Sequence, residues 1–284
     1  MALATLKEIL KEANEQCYAL PAFDTIDHVS AEAVVEAAEA QNRPVILMYP
    51  EAAFPVMDVD TFFPFLRRLA ERASVPVGLH LDHGQTLEAI MTGIRHGFSS
   101  VMIDGSMLPL EGNIALTGKV VEIAHAAGVS VEAEIGHVAG GEGAFEGSEV
   151  DESMYTRPED AKIFYESTGV DALAVAVGTV HGVYKGVPKL DIARLEKIKR
   201  LVKIPLVLHG GSGLSGEEFS RAIQAGINKI NIFTEISMAA VKKSAEFAGQ
   251  NNCNVHFANM LQAGRQEVFA IASDYLQKFG KKQA

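Results

Sequence analysis

Eight short apolar segments recur along this chain, separated by stretches with helical spacing. The segments cover residues 18–23, 44–50, 75–82, 99–105, 130–136, 171–178, 204–211 and 228–234. The helical stretches end in Gly, Asn or Pro punctuation, as in HAAGV and QAGIN. Strands that alternate with helices form parallel βαβ units, and eight such units close a barrel. The pattern predicts an α/β fold: a single (β/α)8 TIM barrel domain over residues 1–284 with an additional C-terminal helix near 255–279.

A doubly wound open sheet is the alternative arrangement of the same segments. Its dinucleotide-binding version requires a GxGxxG turn after the first strand, and the chain has none there. A (β/α)8 barrel commonly has roughly 250 residues in one domain. This chain has 284 residues, of which 48% are hydrophobic, so it is large enough for one barrel.

The charge and the cysteine content limit which partners and which cellular compartment are expected. The net charge is −11, and no basic cluster is present, which argues against a nucleic-acid partner. No apolar run approaches ~20 residues, so no membrane span is expected. Residues 1–16 are typical of an amphipathic helix that carries acids, not of a signal peptide. Cys17 and Cys253 lie far apart and outside any CxxC pattern, which fits a reducing cytoplasm.

Polar side chains gather where the predicted strands end. They are Asp82, His83, Asp104, Glu134, His181, His209 and Asn231. Because the C-terminal ends of barrel strands meet at one face, which holds the active site, these side chains should share one bowl. Three imidazoles with an open fourth position make a catalytic zinc site. Spacing alone does not decide which histidine is the third ligand. The segments PVGLH and PLVLH match in spacing, so they make His80, and not His83, the equivalent of His209.

Two acids in the fifth predicted strand have the same orientation. Glu132 and Glu134 are two residues apart, so both side chains face the same side of the strand. Carboxylates near a zinc site can orient a ligand, bind a second metal or move protons. One of the pair could equally serve only the internal hydrogen bonding of the barrel.

A glycine-rich loop is the second feature of the sequence that indicates a chemical role. HGGSGLSGEE (209–218) opens a helix after the seventh predicted strand, and NIFT (231–234) precedes a helix after the eighth. Glycines let the backbone approach an anion, and a helix N-terminus favours its charge. Phosphate sites in barrels often lie at these two loops. The pattern predicts a phosphate-bearing substrate.

These pieces resemble the class II, zinc-dependent ketose-bisphosphate aldolase family, in the branch of tagatose- and fructose-bisphosphate aldolases. The matching segments are PAF (21–23), HLDHG (80–84), SVMIDGS (100–106), VEAEIGHV (131–138), DALAVAVGTVHGVYKG (171–186), LVLHGGSGL (206–214) and KINIFTE (229–235). They follow the family's order over nearly the whole barrel. The resemblance implies a lyase of carbohydrate metabolism that cleaves a ketose phosphate into dihydroxyacetone phosphate and an aldehyde.

The resemblance also implies roles for individual residues. It gives His83, His181 and His209 as zinc ligands, with Asp104 and Glu134 for a second or alternative divalent metal. It gives Asp82 as the acid/base for the C4 hydroxyl, assisted by Asn231, and Glu142 or Glu146 in the loop 140–153 as the acid that moves the C3 proton. The implied substrate contacts are Lys185, Gly182, Gly210, Gly211, Ser212, Asn231, Ile232, Phe233 and Thr234. A loop for Na+ or K+ is implied at Val180, Gly182, Gly210 and Ser212.

The chemistry fits the residues independently. Aldol cleavage places negative charge on a carbonyl oxygen, and either zinc as a Lewis acid or a Schiff-base lysine can stabilise it. Lys229 begins the eighth predicted strand, at the end of the barrel away from the site, and Lys185 lies in a loop. No lysine ends a strand, so the sequence favours a metal.

The aldehyde end of the predicted site departs from the family pattern. An Asp-Pro-Arg before the final helix, whose arginine reaches a second phosphate, is replaced by NNCNVHFANMLQAGR (251–265). PAFD stands for the usual PAFN, and MYPEA replaces small or hydroxyl residues. A ketose 1-phosphate with a different aldehyde end therefore competes with fructose or tagatose 1,6-bisphosphate as the expected substrate. Tyr49 and Asp24 are the candidates to contact that end.

Two other functions are alternatives to an aldolase that assembles as a homodimer or homotetramer. A non-catalytic accessory subunit should lack metal ligands, and this chain has all three histidines. A metal-dependent hydrolase on the same barrel commonly has His-x-His on its first strand, and ALPAFD has none.

Overall fold

A computed structural model of the chain describes residues 2–140, 152–186 and 188–280. Its strands consist mainly of Val, Ile, Leu and Ala, residues that pack well on a buried pleated surface. They are β1 (Leu3–Ala4), β2 (Leu20–Asp24), β3 (Val45–Pro50), β4 (Val77–Gly84), β5 (Ser100–Ile103), β6 (Ser130–Ile135), β7 (Ala172–Val175), β8 (Leu206–Leu208) and β9 (Ile227–Ile232).

Strands β2 to β9 form a closed parallel barrel. Each strand pairs with the next along the chain, and β9 pairs back with β2 through Leu20 and Lys229. This confirms the predicted (β/α)8 barrel and excludes the open sheet. The two-residue strand β1 was not predicted from the sequence, and it pairs with the start of β4, where Leu3 lies beside Val77.

Helices surround the barrel. They are α1 (Leu6–Ile9), α2 (Lys11–Gln16), α3 (His28–Ala40), α4 (Val59–Arg72), α5 (Leu87–Arg95), α6 (Leu110–Ala126), α7 (Pro158–Thr168), α8 (Ile192–Leu201), α9 (Gly216–Gln224), α10 (Thr234–Gln250) and α11 (Phe257–Phe279). The predicted C-terminal helix is α11. It packs between α3 and α9 in the ring of helices, and α10 packs against it. None of the described helices combines the length and the apolar character needed to cross a bilayer.

The barrel interior near the N-terminal ends of the strands is apolar, and this end of the barrel is closed. Leu6, Ile9 and Leu10 of the N-terminal helical segment pack against inward-facing residues of β2, β3, β7 and β8. The predicted amphipathic helix at the N-terminus is therefore two short helices, α1 and α2, that plug this end. This packing closes the N-terminal end of the barrel.

A bulge near the end of β4 changes the direction of one side chain. The pairing with β5 shifts register between Leu81 and Gly84, and His83 has a left-handed backbone with φ of 41°. Side chains of successive strand residues normally point to opposite faces, whereas a bulge re-aims one of them. Asp82 and His83 can therefore both face the interior although they are neighbours in sequence.

Gly84→Ala should destabilise the protein and distort this bulge. A Cβ at position 84 would lie 2.6 Å from the carbonyl oxygen of Met102 and 2.9 Å from Cδ1 of Ile90. We expect a loss of about 1–3 kcal/mol in the free energy of unfolding, together with weaker metal binding, measured by chemical denaturation and metal titration. Gly118→Ala is the control, because that position in α6 has open space and alanine should stabilise the helix by about 0.5–1 kcal/mol. Equal stability of the two variants would contradict the packing argument.

Candidate active site

Three histidines meet at the C-terminal face of the barrel. His83 is the second-last residue of β4, His181 follows β7 and His209 follows β8. The ring centroid of His83 lies 5.0 Å from that of His181 and 4.5 Å from that of His209. The centroids of His181 and His209 are 5.9 Å apart. One nitrogen of each ring lies within 4.8 Å of the others, a spacing that suits a shared metal ion. The structure therefore brings together His83, His181 and His209, and not His80.

Each of the three rings is oriented by a neighbour. His83 Nδ1 lies 2.9 Å from Asp104 Oδ2, and His181 Nδ1 lies 3.2 Å from the carbonyl oxygen of Gly140. His209 Nε2 lies 2.9 Å from Glu132 Oε1. A metal-binding histidine usually donates its other ring N–H to such a partner, which fixes the ring and its tautomer. The other nitrogen of each ring, Nε2 of His83 and His181 and Nδ1 of His209, is the one that can serve as a metal ligand.

The charge of the site favours a cation. Asp82, Asp104 and Glu134 lie around the three imidazoles, and Glu134 Oε2 is 3.1 Å from His209 Nδ1. Burial lowers the pKa of His209, but the carboxylates of Glu132 and Glu134 outweigh it and raise that pKa to about 9. Imidazole and carboxylate ligands are the donor set of zinc. The residues present therefore fit a zinc ion.

Asp82 is held between an amide and the histidines. Asn231 Nδ2 donates to both carboxylate oxygens of Asp82 at 3.2 Å, and His83 Nε2 lies 3.9 Å from Asp82 Oδ2. Burial raises the pKa of Asp82, but the surrounding imidazoles and Lys229 outweigh it and hold that pKa below its ordinary value. Asp82 is thus ionised and fully buried, and can accept a proton from a group in the cavity.

A polar layer lies directly below the site, inside the barrel. Lys229 Nζ lies 3.2 Å and 3.0 Å from the two oxygens of Glu132, and both residues are fully buried. His80 Nδ1 lies 2.8 Å from Ser100 Oγ, and its Nε2 lies 3.7 Å from Glu132 Oε2. Burial raises the pKa of Glu132, but Lys229 and His209 outweigh it and lower that pKa to about 2. Glu132 is therefore a charged partner that orients His209.

The polar layer corrects one placement that the sequence suggested. Lys229 was expected at the end of the barrel away from the site, and it lies in the middle of β9 with its ammonium inside the barrel. Its partner Glu132 serves internal hydrogen bonding, one of the two roles left open for Glu132 and Glu134. The ammonium is held by that carboxylate.

The glycine-rich loop lies beside the start of α10. Gly211 N–H donates to the carbonyl oxygen of Asn231 at 3.1 Å, and Phe233 N–H donates to Ser212 Oγ at 3.2 Å. These bonds lock the β8–α9 loop to the β9–α10 turn. One cavity, called here the β8–β9 cavity, is lined by Asp24, Asp82, His181, Gly182, Gly210, Ser212, Asn231, Phe233 and Thr234.

Tyr184 ties the loop after β7 to the loop after β8. Its hydroxyl donates to the carbonyl oxygen of Gly210 at 2.6 Å and accepts from Val180 N–H at 3.4 Å. Val180, Gly182, Gly210 and Ser212, the residues expected around a monovalent cation, therefore lie close together. Lys185, in the same β7–α8 loop, is exposed to solvent and is absent from the described lining of the cavity.

A second cavity, called here the β4–β6 cavity, lies on the other side of His181. It is lined by Ala52, His83, Gln85, Asp104, Gly105, Met107, Leu108, Leu116, Glu134, His137, Val138, Gly140 and His181. The two predicted loop acids, Glu142 and Glu146, lie outside the described residues.

One candidate for the aldehyde end is wrong. Tyr49 is fully buried on the outer face of β3, where it packs against Phe62 and Phe63 and donates to the carbonyl oxygen of Ala53 at 2.7 Å. Met48, its neighbour, faces the barrel interior instead, as strand alternation requires. Asp24, the other candidate, does line the β8–β9 cavity.

Positive charge is unevenly distributed over this face. The loops after β2, β3, β4 and β5 (25–27, 51–58, 85–86 and 104–109) contain no Lys or Arg. The arginine that ends the stretch 251–265 is Arg265, which pairs with Glu36 of α3 at 2.5 Å on the outside of the barrel. No described residue that lines either cavity is Lys or Arg.

Comparisons with known proteins agree over the whole chain. The family model described as fructose-bisphosphate aldolase class-II matches residues 4–284. The fructose-bisphosphate aldolase of Geobacillus stearothermophilus is 41% identical over 283 residues, which cover 99% of this chain and 98% of that protein. The fructose-bisphosphate aldolase of Thermus caldophilus is 39% identical over 303 residues, covering 98% of both chains. The crystal structure of the YdjI aldolase from Escherichia coli K12 is similar with a TM-score of 0.87 at 34% identity, covering 98% of this chain and 97% of that one.

Proposed function

We propose a reaction and a substrate class for this chain, which belongs to the class II fructose-bisphosphate aldolase family and is therefore a lyase. It is a zinc-dependent aldolase that reversibly cleaves a ketose phosphate into dihydroxyacetone phosphate and an aldehyde. The observation that carries this proposal is the cluster of His83, His181 and His209 beside the ionised Asp82. The test is an aldol-cleavage assay across ketose mono- and bisphosphates, with and without a chelator.

The metal site is assigned to the three histidines. Zinc bound there supplies Lewis-acid stabilisation of negative charge on the substrate's carbonyl oxygen. Asp104 and Glu132 hold His83 and His209 in orientation. Glu134, beside His209 Nδ1, is available with Asp104 for a second or alternative divalent metal.

The proton steps are assigned to this chain's acids. Asp82 accepts the proton of the C4 hydroxyl as the C3–C4 bond breaks and returns it in the synthetic direction. Asn231 fixes the carboxylate through both oxygens, so that it stays pointed into the cavity. Glu142 or Glu146 moves the C3 proton. General acid–base catalysis of this kind typically contributes about 10²–10⁴-fold.

The triose phosphate is assigned to the β8–β9 cavity. Backbone N–H groups at strand-to-helix turns favour a phosphate. Two such turns adjoin there, at residues 210–212 and at residues 231–234, where α10 begins. Lys185 is proposed to reach the phosphate from the β7–α8 loop. The carbonyl oxygen of Gly210 and the hydroxyl of Ser212 are proposed, with Val180 and Gly182, to hold Na+ or K+.

A ketose 1-phosphate should be a better substrate than the corresponding 1,6-bisphosphate. With the triose phosphate over β8 and β9, the aldehyde half extends past Asp82 towards β2–β5, where the loops carry no Lys or Arg. A bidentate Arg–phosphate contact is not readily replaced there. The measurement is kcat/KM for a bisphosphate and its matched 1-phosphate. A bisphosphate preference above about tenfold, ~1.4 kcal/mol, would contradict this substrate assignment.

The remaining assignments concern the state of the protein in the cell. Residues 1–284 are proposed to form one catalytic domain, working in the cytoplasm as a homodimer or homotetramer. Size-exclusion chromatography with light scattering tests the assembly.

A further inference from the structure

Glu51 lies at the rim of the β4–β6 cavity and is fixed in place. Its Oε2 accepts from Gln85 N–H at 2.5 Å and from Thr86 N–H at 3.2 Å, and its Oε1 accepts from Thr86 Oγ1 at 2.9 Å. Ala52 and Gln85, its neighbours in the chain and across this contact, both line the cavity. Three hydrogen bonds hold the carboxylate, so moving it away from an incoming ligand would cost free energy.

The donors that hold Glu51 are the ones an anion would use. Gln85 and Thr86 immediately precede α5 (Leu87–Arg95), and the first N–H groups of a helix attract negative charge. In this chain the carboxylate of Glu51 already accepts from the N–H groups of Gln85 and Thr86, which lead into that helix, and from the hydroxyl of Thr86. The carboxylate of Glu51 therefore occupies the position that an external anion would take before α5.

The described lining of the cavity beside Glu51 contains carboxylates but no Lys or Arg. Asp104, which follows β5, and Glu134 line the same β4–β6 cavity. The loops after β2 to β5 contain no Lys or Arg. A phosphate dianion at this end of a substrate would face carboxylates without a counter-charge from those loops.

We infer that Glu51 is a specificity-determining residue that excludes a second phosphate from the aldehyde half of the site. The inference rests on the proposed function, which places the triose phosphate over β8 and β9. It narrows the aldehyde product to an uncharged polyhydroxy aldehyde. Glu51 acts by charge and by occupying the helix N-terminus, and not by contact with the reacting atoms.

The experiment compares binding of two unreactive analogues, a hexitol 1-phosphate and the matched hexitol 1,6-bisphosphate, to the zinc-loaded protein by calorimetry. In Glu51→Gln the amide oxygen can still accept from the backbone, while the charge is removed. We expect the preference for the 1-phosphate, as a ratio of the two Kd values, to fall by roughly threefold to tenfold, since a surface charge interaction has about this size. Zinc content should be unchanged.

Glu88→Gln is the matched control, because Glu88 is an exposed acid in the first turn of the same helix. It should leave the ratio as in the wild type. If the wild type prefers the 1-phosphate and Glu51→Gln leaves the ratio of Kd values unchanged, the role of Glu51 is overturned. The proposed substrate assignment then still stands. A wild type that binds neither analogue, or prefers the bisphosphate, overturns the proposed substrate assignment and this inference with it.

Discussion

We expect a chelator to abolish aldol cleavage by this protein and Zn2+ or Co2+ to restore it. The imidazoles of His83, His181 and His209 lie close enough to share one ion, and the acids around them favour a cation. Lewis-acid stabilisation of this kind is worth several kcal/mol, so its loss should reduce kcat by at least ~10³-fold. Metal content and activity, measured on the same samples, should rise and fall together.

Alanine at each of the three histidines should remove zinc and activity in parallel. His256→Ala is the control, because His256 is exposed at the start of α11 and should leave both unchanged. Full activity in metal-free protein would contradict the metal mechanism and favour a Schiff-base lysine. Borohydride trapping of a covalent adduct in the presence of substrate distinguishes that case.

The barrel could be predicted from the sequence because its signal is repeated. Each strand is an apolar segment, and the helices between them end in Gly or Pro punctuation, so the parallel βαβ reading follows without tertiary information. The strand β1 could not be found this way. Leu3 and Ala4 form only two residues of strand, and their pairing with β4 is a tertiary contact.

The choice between His80 and His83 could not be made from spacing. Strand alternation puts His80 and Asp82 on one face and His83 on the other. The bulge before Gly84 and the left-handed backbone of His83 overturn that alternation. Only the resemblance to a family pointed to His83, because a bulge is not encoded in the apolar pattern.

The buried layer below the site has a signal in the sequence. Three strands carry polar residues two positions apart: His80 and Asp82 on β4, Glu132 and Glu134 on β6, and Lys229 and Asn231 on β9. In each pair the second residue lies at the site, and the first lies one layer deeper. The alternation predicts the shared face, but the pairing of Lys229 with Glu132 depends on how the barrel closes.

The acid/base role proposed for Asp82 gives the second large effect. Asp82→Ala and Asp82→Asn should lower kcat by about 10²–10⁴-fold, the typical contribution of general acid–base catalysis. The carboxylate is buried, is held by Asn231 through both oxygens and is kept ionised by the imidazoles and Lys229, so it is free of a proton and positioned to accept one in the cleavage direction. Zinc content and binding of dihydroxyacetone phosphate should remain, because neither depends on a proton at C4.

The asparagine variant isolates the proton transfer, because it keeps the size of the side chain. Asp274→Asn is the matched control on α11, where the aspartate is exposed and pairs with Lys278. It should retain full kcat. If Asp82→Asn also retained kcat, the acid/base role would move to another group, and His80, whose Nε2 lies 3.7 Å from Asp82 Oδ1, would be the next to replace. Loss of zinc in Asp82→Asn would instead assign this carboxylate to holding the metal site together.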